Sequence, residues 1–121
     1  MQALPDPDSI ATLTAQIIAF RDARDWAQFH NPKDVALSLC LEVGEVLEHM
    51  QWVNGDDLTA QLTERRDAVG DELADVLYYT LLLAHDLGVD LNAAFSQKMA
   101  RNAQKYPVAK ARGSRKKYTE L

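Results

Sequence analysis

Apolar residues recur at intervals of three and four along most of the chain, the spacing of helices that pack by one face. Ile10, Leu13, Ile17 and Phe20 make the first such stripe, Ser9 stands before it as an N-cap, and the pattern carries on to about residue 25. His30-Asn31-Pro32 interrupts it. Asn31 can cap and Pro32 suits a first helical turn, so a second helix is predicted over about 32–53, ended by Asn54-Gly55-Asp56. From Asp57 the chain reads as one helix to Asp86, densely charged at 64–67 and very apolar over 73–87, a stretch expected to lie centrally in the core. Gly88 stops it. Asp90 then caps a last helix whose stripe, Leu91, Ala94, Phe95 and Met99, runs to about Tyr106 before Pro107.

No period-2 alternation, hairpin signal or internal repeat competes with this pattern, so the expected fold is all-α, a bundle of four or five helices. The divisions it suggests are an arm at 1–8, one helical domain at 9–106, and a tail at 107–121. The third helix is apolar around most of its circumference, which predicts burial against a partner subunit as well as its own core.

A length of 121 residues, 47% hydrophobic and 26% charged, suits one packed domain with one site. The opening MQALPDPDSI lacks the basic and apolar regions of a signal peptide, and no run approaches a membrane span, so the expected address is the cytoplasm. The lone Cys40 is expected to be a buried core thiol without chemistry. A net charge of −5 argues against nucleic-acid binding, which needs many phosphates neutralised. The charge is uneven, however: eight basic residues from Lys98 onward face one acid, Glu120, while the acids gather mid-chain. A site holding metal ions and a polyphosphate would want that division, although a solvated tail reads the same way.

The chemistry-bearing pattern is Glu42-x-x-Glu45 on the second helix and Glu72-x-x-Asp75 on the third. Residues three apart lie roughly 60° around a helix with Cβ atoms about 5–6 Å apart, so each pair points its carboxylates to one face. Either pair alone reads as a solvated face. Both pairs, set among Leu39, Leu41, Val43, Val46, Leu73, Val76 and Leu77, imply like charges crowded beside a core, a situation relieved by raised pKa values or bound cations. If the helices run antiparallel, four hard oxygen-bearing groups face each other. That set suits Mg²⁺, with Mn²⁺ able to substitute. Dinuclear iron bundles need Glu-x-x-His pairs, and no histidine follows Glu42, Glu45 or Glu72 at that spacing.

These residues resemble the signature of the MazG-like all-α nucleotide pyrophosphohydrolases, Glu-x-x-Glu followed after a spacer by Glu-x-x-Asp. The finer pattern is similar to the dCTP pyrophosphatase branch: Arg24-Asp25-Trp26, Gln28-Phe29-His30 and Pro32, Gln51-Trp52, Lys98-Met99 with Asn102, Tyr106-Pro107, and the closing Arg115-Lys116-Lys117-Tyr118-Thr119-Glu120-Leu121. One departure stands in the first helix, where the branch carries a histidine and this chain has Ile17. The resemblance implies hydrolysis of a nucleoside triphosphate to monophosphate and diphosphate, with dCTP or a modified dCTP preferred. It also implies a homo-oligomer, a dimer or a tetramer of paired dimers, with sites between neighbouring chains. Glu42, Glu45, Glu72 and Asp75 would hold Mg²⁺, with Glu45 the candidate general base. Tyr79, Lys98 and Asn102 would touch phosphate or sugar, beside Arg101 and Lys105. Trp26, His30 and Trp52 would hold the base by stacking. Two alternatives stay open at this point: the same fold acting on dUTP or on many or damaged triphosphates, and a helical dimerisation module without catalysis.

Overall fold

In the computed structural model, which describes residues 6–121, the described residues form six α-helices and no strand. They are α1 (Ile10–Ala23), α2 (Pro32–Glu48), α3 (Gly55–Glu64), α4 (Arg66–Leu87), α5 (Leu91–Lys105) and the single turn α6 (Val108–Ala111). The all-α expectation is met. No helix among the described residues is long and apolar enough to cross a membrane. Residues 1–5 of the expected arm lie outside the described residues. Two compact units are present, residues 6–88 and Val89–Leu121.

Local chemistry sets most of the boundaries in the first unit. The Ser9 side chain accepts from Thr12 N at 3.0 Å and that of Asn31 from Asp34 N at 2.9 Å, each satisfying an amide that the first helical turn leaves without a partner. Gly88 ends α4 in the left-handed conformation, φ 68°, its N–H directed to Ala84 O and His85 O.

Two boundaries differ from the pattern. The helix predicted to reach 53 ends at Glu48, because the following amides tighten onto Val46 O and Leu47 O and Trp52 takes a left-handed backbone, φ 72°. The helix predicted over 57–86 is two helices, bent at Arg65 with φ −96° and ψ 15°. Leu58, Leu62, Val69 and Val76 keep helical spacing straight through that bend, so nothing in the periodicity marks it.

The core of this unit is where α2 and α1 pack on α4, with Val35, Leu81 and Leu82 fully enclosed and Ala84 beside them. The expectation that all of 73–87 is core is corrected here: Leu73, Leu77 and Leu87 stand about half exposed. Cys40 is likewise exposed rather than buried, on a face of α2 shared with the exposed Leu37, Leu41 and Leu47. A polar clamp closes the top of the α1–α4 contact. Arg21 Nη1 meets both Asp86 carboxylate oxygens, at 3.0 and 2.9 Å, with the two side chains 9% and 17% exposed.

In the second unit, Asp90 caps α5 through Ala93 N at 3.2 Å. The chain after α6 ends in a 3-10 turn, Tyr118–Glu120, where the Tyr118 ring meets Tyr106 edge to face, 6.0 Å between centroids, and Lys105 Nζ lies 4.8 Å over it. Phe95, Met99 and Val108 are exposed.

Candidate active site

The four acids sit where α2 and α4 pack together. Glu42 and Asp75 feel each other's charge, and seven residues further on, at the C-cap of α2, His49 Nε2 meets the carboxylate of Glu72, three residues back along α4. Advancing along one helix while retreating along the other means that the two run antiparallel, so Glu42-x-x-Glu45 opposes Glu72-x-x-Asp75. Glu42 and Glu72 are half-buried, and Glu45 and Asp75 more open.

Glu42 is the centre of this arrangement. Its carboxyl is held above the usual 4.5, first by burial, then by a hydrogen bond with Glu45 and by the negative charges of Glu45, Asp75 and Glu72. Among the described residues its Oε2 is buried without a hydrogen-bond partner. Among the described residues no three His, Cys, Asp or Glu side chains are already drawn into a ligand cage. The donor set nevertheless fits a hard cation: all four side chains offer carboxylate oxygens, and the buried, unpartnered oxygen of Glu42 is the kind of atom a cation satisfies.

The crowding has a consequence for stability. A carboxyl whose folded value is raised stabilises the fold fully below its unfolded value of about 4.5 and loses that contribution as pH rises through the folded value. At neutral pH the repulsion is therefore carried by the fold. Glu42→Gln, fixed in the uncharged form, is expected to raise the Tm of protein stripped of divalent ions by roughly 1–3 °C at pH 7. The gain should vanish as the pH is brought to 4, which a melting series in chelator checks.

Next to the acids, a cavity of about 560 Å³ opens between α1 and α4. Gln16, Ile17 and Phe20 line it from α1, Trp26 from the turn after α1, Glu42 from α2, and Asp75, Tyr78 and Tyr79 from α4. Trp26 meets Phe20 at 5.8 Å, Phe20 meets Tyr78 at 6.2 Å and Tyr78 meets Tyr79 at 4.9 Å, all edge to face. The Arg24 guanidinium lies 3.6 Å from the Phe20 ring centroid, backing this row of rings. Burial, helped by the neighbouring Tyr79 and Asp75, pushes the Tyr78 phenol up against the opposing pull of Arg21 and Arg24, so Tyr78 is a hydroxyl donor at neutral pH. The turn bearing Trp26 hangs from α1 by Trp26 N–H to Arg21 O at 3.2 Å.

The structure thus gathers Glu42, Asp75, Tyr79 and Trp26 on one cavity, with Glu45 and Glu72 beside Glu42. It does not bring the other aromatic candidates there. His30 is half-buried with Nδ1 unpartnered, and Trp52 is 90% exposed. Lys98, exposed, and Asn102, half-buried, lie on α5 in the second unit. Lys105, grouped with them in the sequence, has its ammonium over the Tyr118 ring. Phe20 was visible only as a stripe residue, and Tyr78 only as part of the apolar stretch 73–87. His49, inside the stretch 32–53 read as the second helix, has no local signal at all.

Comparison with known proteins is consistent along most of the chain. The model of the MazG-like family matches residues 37–121. The mouse dCTP pyrophosphatase 1 is 42% identical over 121 residues, a match spanning 97% of this chain and 69% of the mouse protein. The human dCTP pyrophosphatase 1 is 41% identical over the same shares. A crystal structure of a pyrophosphatase from Archaeoglobus fulgidus superposes with a TM-score of 0.80 at 34% identity, covering 88% of this chain and 98% of that one. The chain belongs to the MazG-like family and is an all-α nucleoside triphosphate diphosphatase.

Proposed function

We propose that the protein hydrolyses dCTP, or a modified dCTP, to the monophosphate and diphosphate with the help of Mg²⁺. The observation that carries this reading is Glu42: one half-buried carboxyl, crowded by Glu45, Glu72 and Asp75, opening onto the cavity that Trp26 and Tyr79 also line. Glu42, Glu45, Glu72 and Asp75 hold the cation. When bound, Mg²⁺ neutralises phosphate oxygens and makes water acidic enough to attack the α-phosphorus. Glu45, the open member of its pair, takes the proton from that water. Trp26 stacks on the base in the cavity and the Tyr79 hydroxyl meets sugar or phosphate. Lys98 and Asn102 are the candidates for the outer phosphates, and His30 and Trp52, which this chain does not bring to its own cavity, are candidates to reach the base from a neighbouring subunit.

The catalytic domain in this proposal is 9–106, with 107–121 a basic tail, and the enzyme works in the cytoplasm as a homo-oligomer. The half-exposed Leu73 and Leu77 on α4 and the exposed Leu37, Leu41 and Leu47 on α2 support the last point. Two measurements test the reading. Mg²⁺ together with a non-hydrolysable dCTP analogue should raise the Tm, since a ligand that binds only the native state stabilises it. A panel of triphosphates with diphosphate detection should then rank dCTP first. Preference for dUTP, or equal rates on all, sinks the substrate assignment, and no Tm response to Mg²⁺ and analogue sinks the site.

A further inference from the structure

We propose that His49 is the positioning residue of Glu72, its imidazole holding that carboxylate in the place from which it takes a divalent cation. This deepens the metal-site reading above and rests on it. Nε2 of His49 faces Oε2 of Glu72 across the α2–α4 contact, with the side chains 18% and 22% exposed, so water competes weakly for either group. The two meet as a contact and not as a hydrogen bond: among the described residues Oε2 of Glu72 is buried with no hydrogen-bond partner, and the ring nitrogen is the polar atom that stands against it. The other ring nitrogen, Nδ1, is buried and unpartnered, so Glu72 is the only polar engagement of the imidazole among the described residues.

The backbone that carries the ring is also fixed. Gln61 Nε2 donates to His49 O at 2.6 Å, tying α3 to the end of α2, while the His49 N–H is directed to Leu47 O and Val46 O. Three helices therefore meet at this residue, and its imidazole stands against one carboxylate. Engaging Oε2 leaves Oε1 for a cation and stops the side chain from swinging away from Glu42. Carboxylates that ligate metals are themselves commonly hydrogen-bonded by an outer layer, and losing such a partner typically weakens metal affinity about 10–100-fold.

A clasp that merely joined the two helices would show up in fold stability and leave metal affinity alone. The test uses the full chain, with Mg²⁺ alone as the probe, titrated by calorimetry into wild type, His49→Phe, His49→Gln and Glu72→Gln. His49→Phe is expected to bind Mg²⁺ about 10–100-fold more weakly with its ion-free Tm little changed, and His49→Gln, which keeps an N–H donor, to recover most of the loss. In turnover assays the His49→Phe defect should appear as a raised KM for Mg²⁺ with kcat retained at saturating metal; Glu72→Gln should not be rescued. Unchanged or tighter Mg²⁺ binding by His49→Phe overturns the proposal while leaving the metal site standing. If wild type itself fails to bind Mg²⁺, the metal reading falls and the role of His49 falls with it. Should His49→Phe not fold, Gln61→Leu, which loosens the ring without removing it, is measured instead, and unchanged affinity there overturns the proposal equally.

Discussion

Glu45→Gln and Asp75→Asn are each expected to lower kcat for dCTP by about 10²–10⁴-fold while leaving helix content and ion-free Tm close to wild type. Both side chains are on the open side of the acid cluster, so neither supports packing and the amides fit the same space. What is lost is charge where a cation and a triphosphate must meet. The expected pattern separates the two roles. Asp75→Asn should weaken Mg²⁺ binding and recover part of its rate at high metal, whereas Glu45→Gln, which loses the proton acceptor as well, should stay slow at any Mg²⁺ concentration. Steady-state kinetics across a metal series, with circular dichroism as the fold control, decides it. Near-normal kcat in either variant removes the assignment of that residue.

The sequence carried the acid pattern because helix geometry makes it local: residues three apart share a face whatever surrounds them. The caps were legible for the same reason. Ser9, Asn31 and Asp90 bond amides three residues ahead, and Gly88 supplies a left-handed turn, all within one turn of helix. That the two acidic pairs oppose each other depends on α2 and α4 running antiparallel, which the spacing permitted but did not require.

What stayed hidden is non-local. The bend at Arg65 leaves the apolar period intact, so a pattern of buried positions cannot reveal it. Cys40, Leu73 and Leu77 read as core because a hydrophobic stripe says that a face is to be covered, not that this chain covers it. The row Trp26–Phe20–Tyr78–Tyr79 needs α1 laid against α4, and His49–Glu72 joins the end of α2 to α4 with all of α3 between them in the chain. No spacing rule reaches that far.

The largest stability effect is expected at another such long-range pair. Asp86→Ala should cost about 3–5 kcal/mol, because Arg21 would be left charged and enclosed with nothing to accept from its guanidinium. Among the described residues Arg21 Nε is buried without a partner, so the two Nη1 bonds to Asp86 are what make its burial tolerable. The damage should reach the nucleotide cavity, since the turn that carries Trp26 hangs from the Arg21 carbonyl, and a shifted α1 moves Trp26 with it. KM for the nucleotide is thus expected to rise in Asp86→Ala at temperatures where the protein is still folded. Replacing both members, Arg21→Met with Asp86→Leu, removes the stranded charge and keeps comparable volume, so stability should return to near wild type. Because Trp26 is held through a backbone oxygen and not through the guanidinium, KM should return with it. Denaturant titrations of the three proteins measure the first effect and initial-rate kinetics the second. A double variant as unstable as Asp86→Ala would mean that the charge pair itself, rather than the enclosed volume between α1 and α4, holds the cavity open.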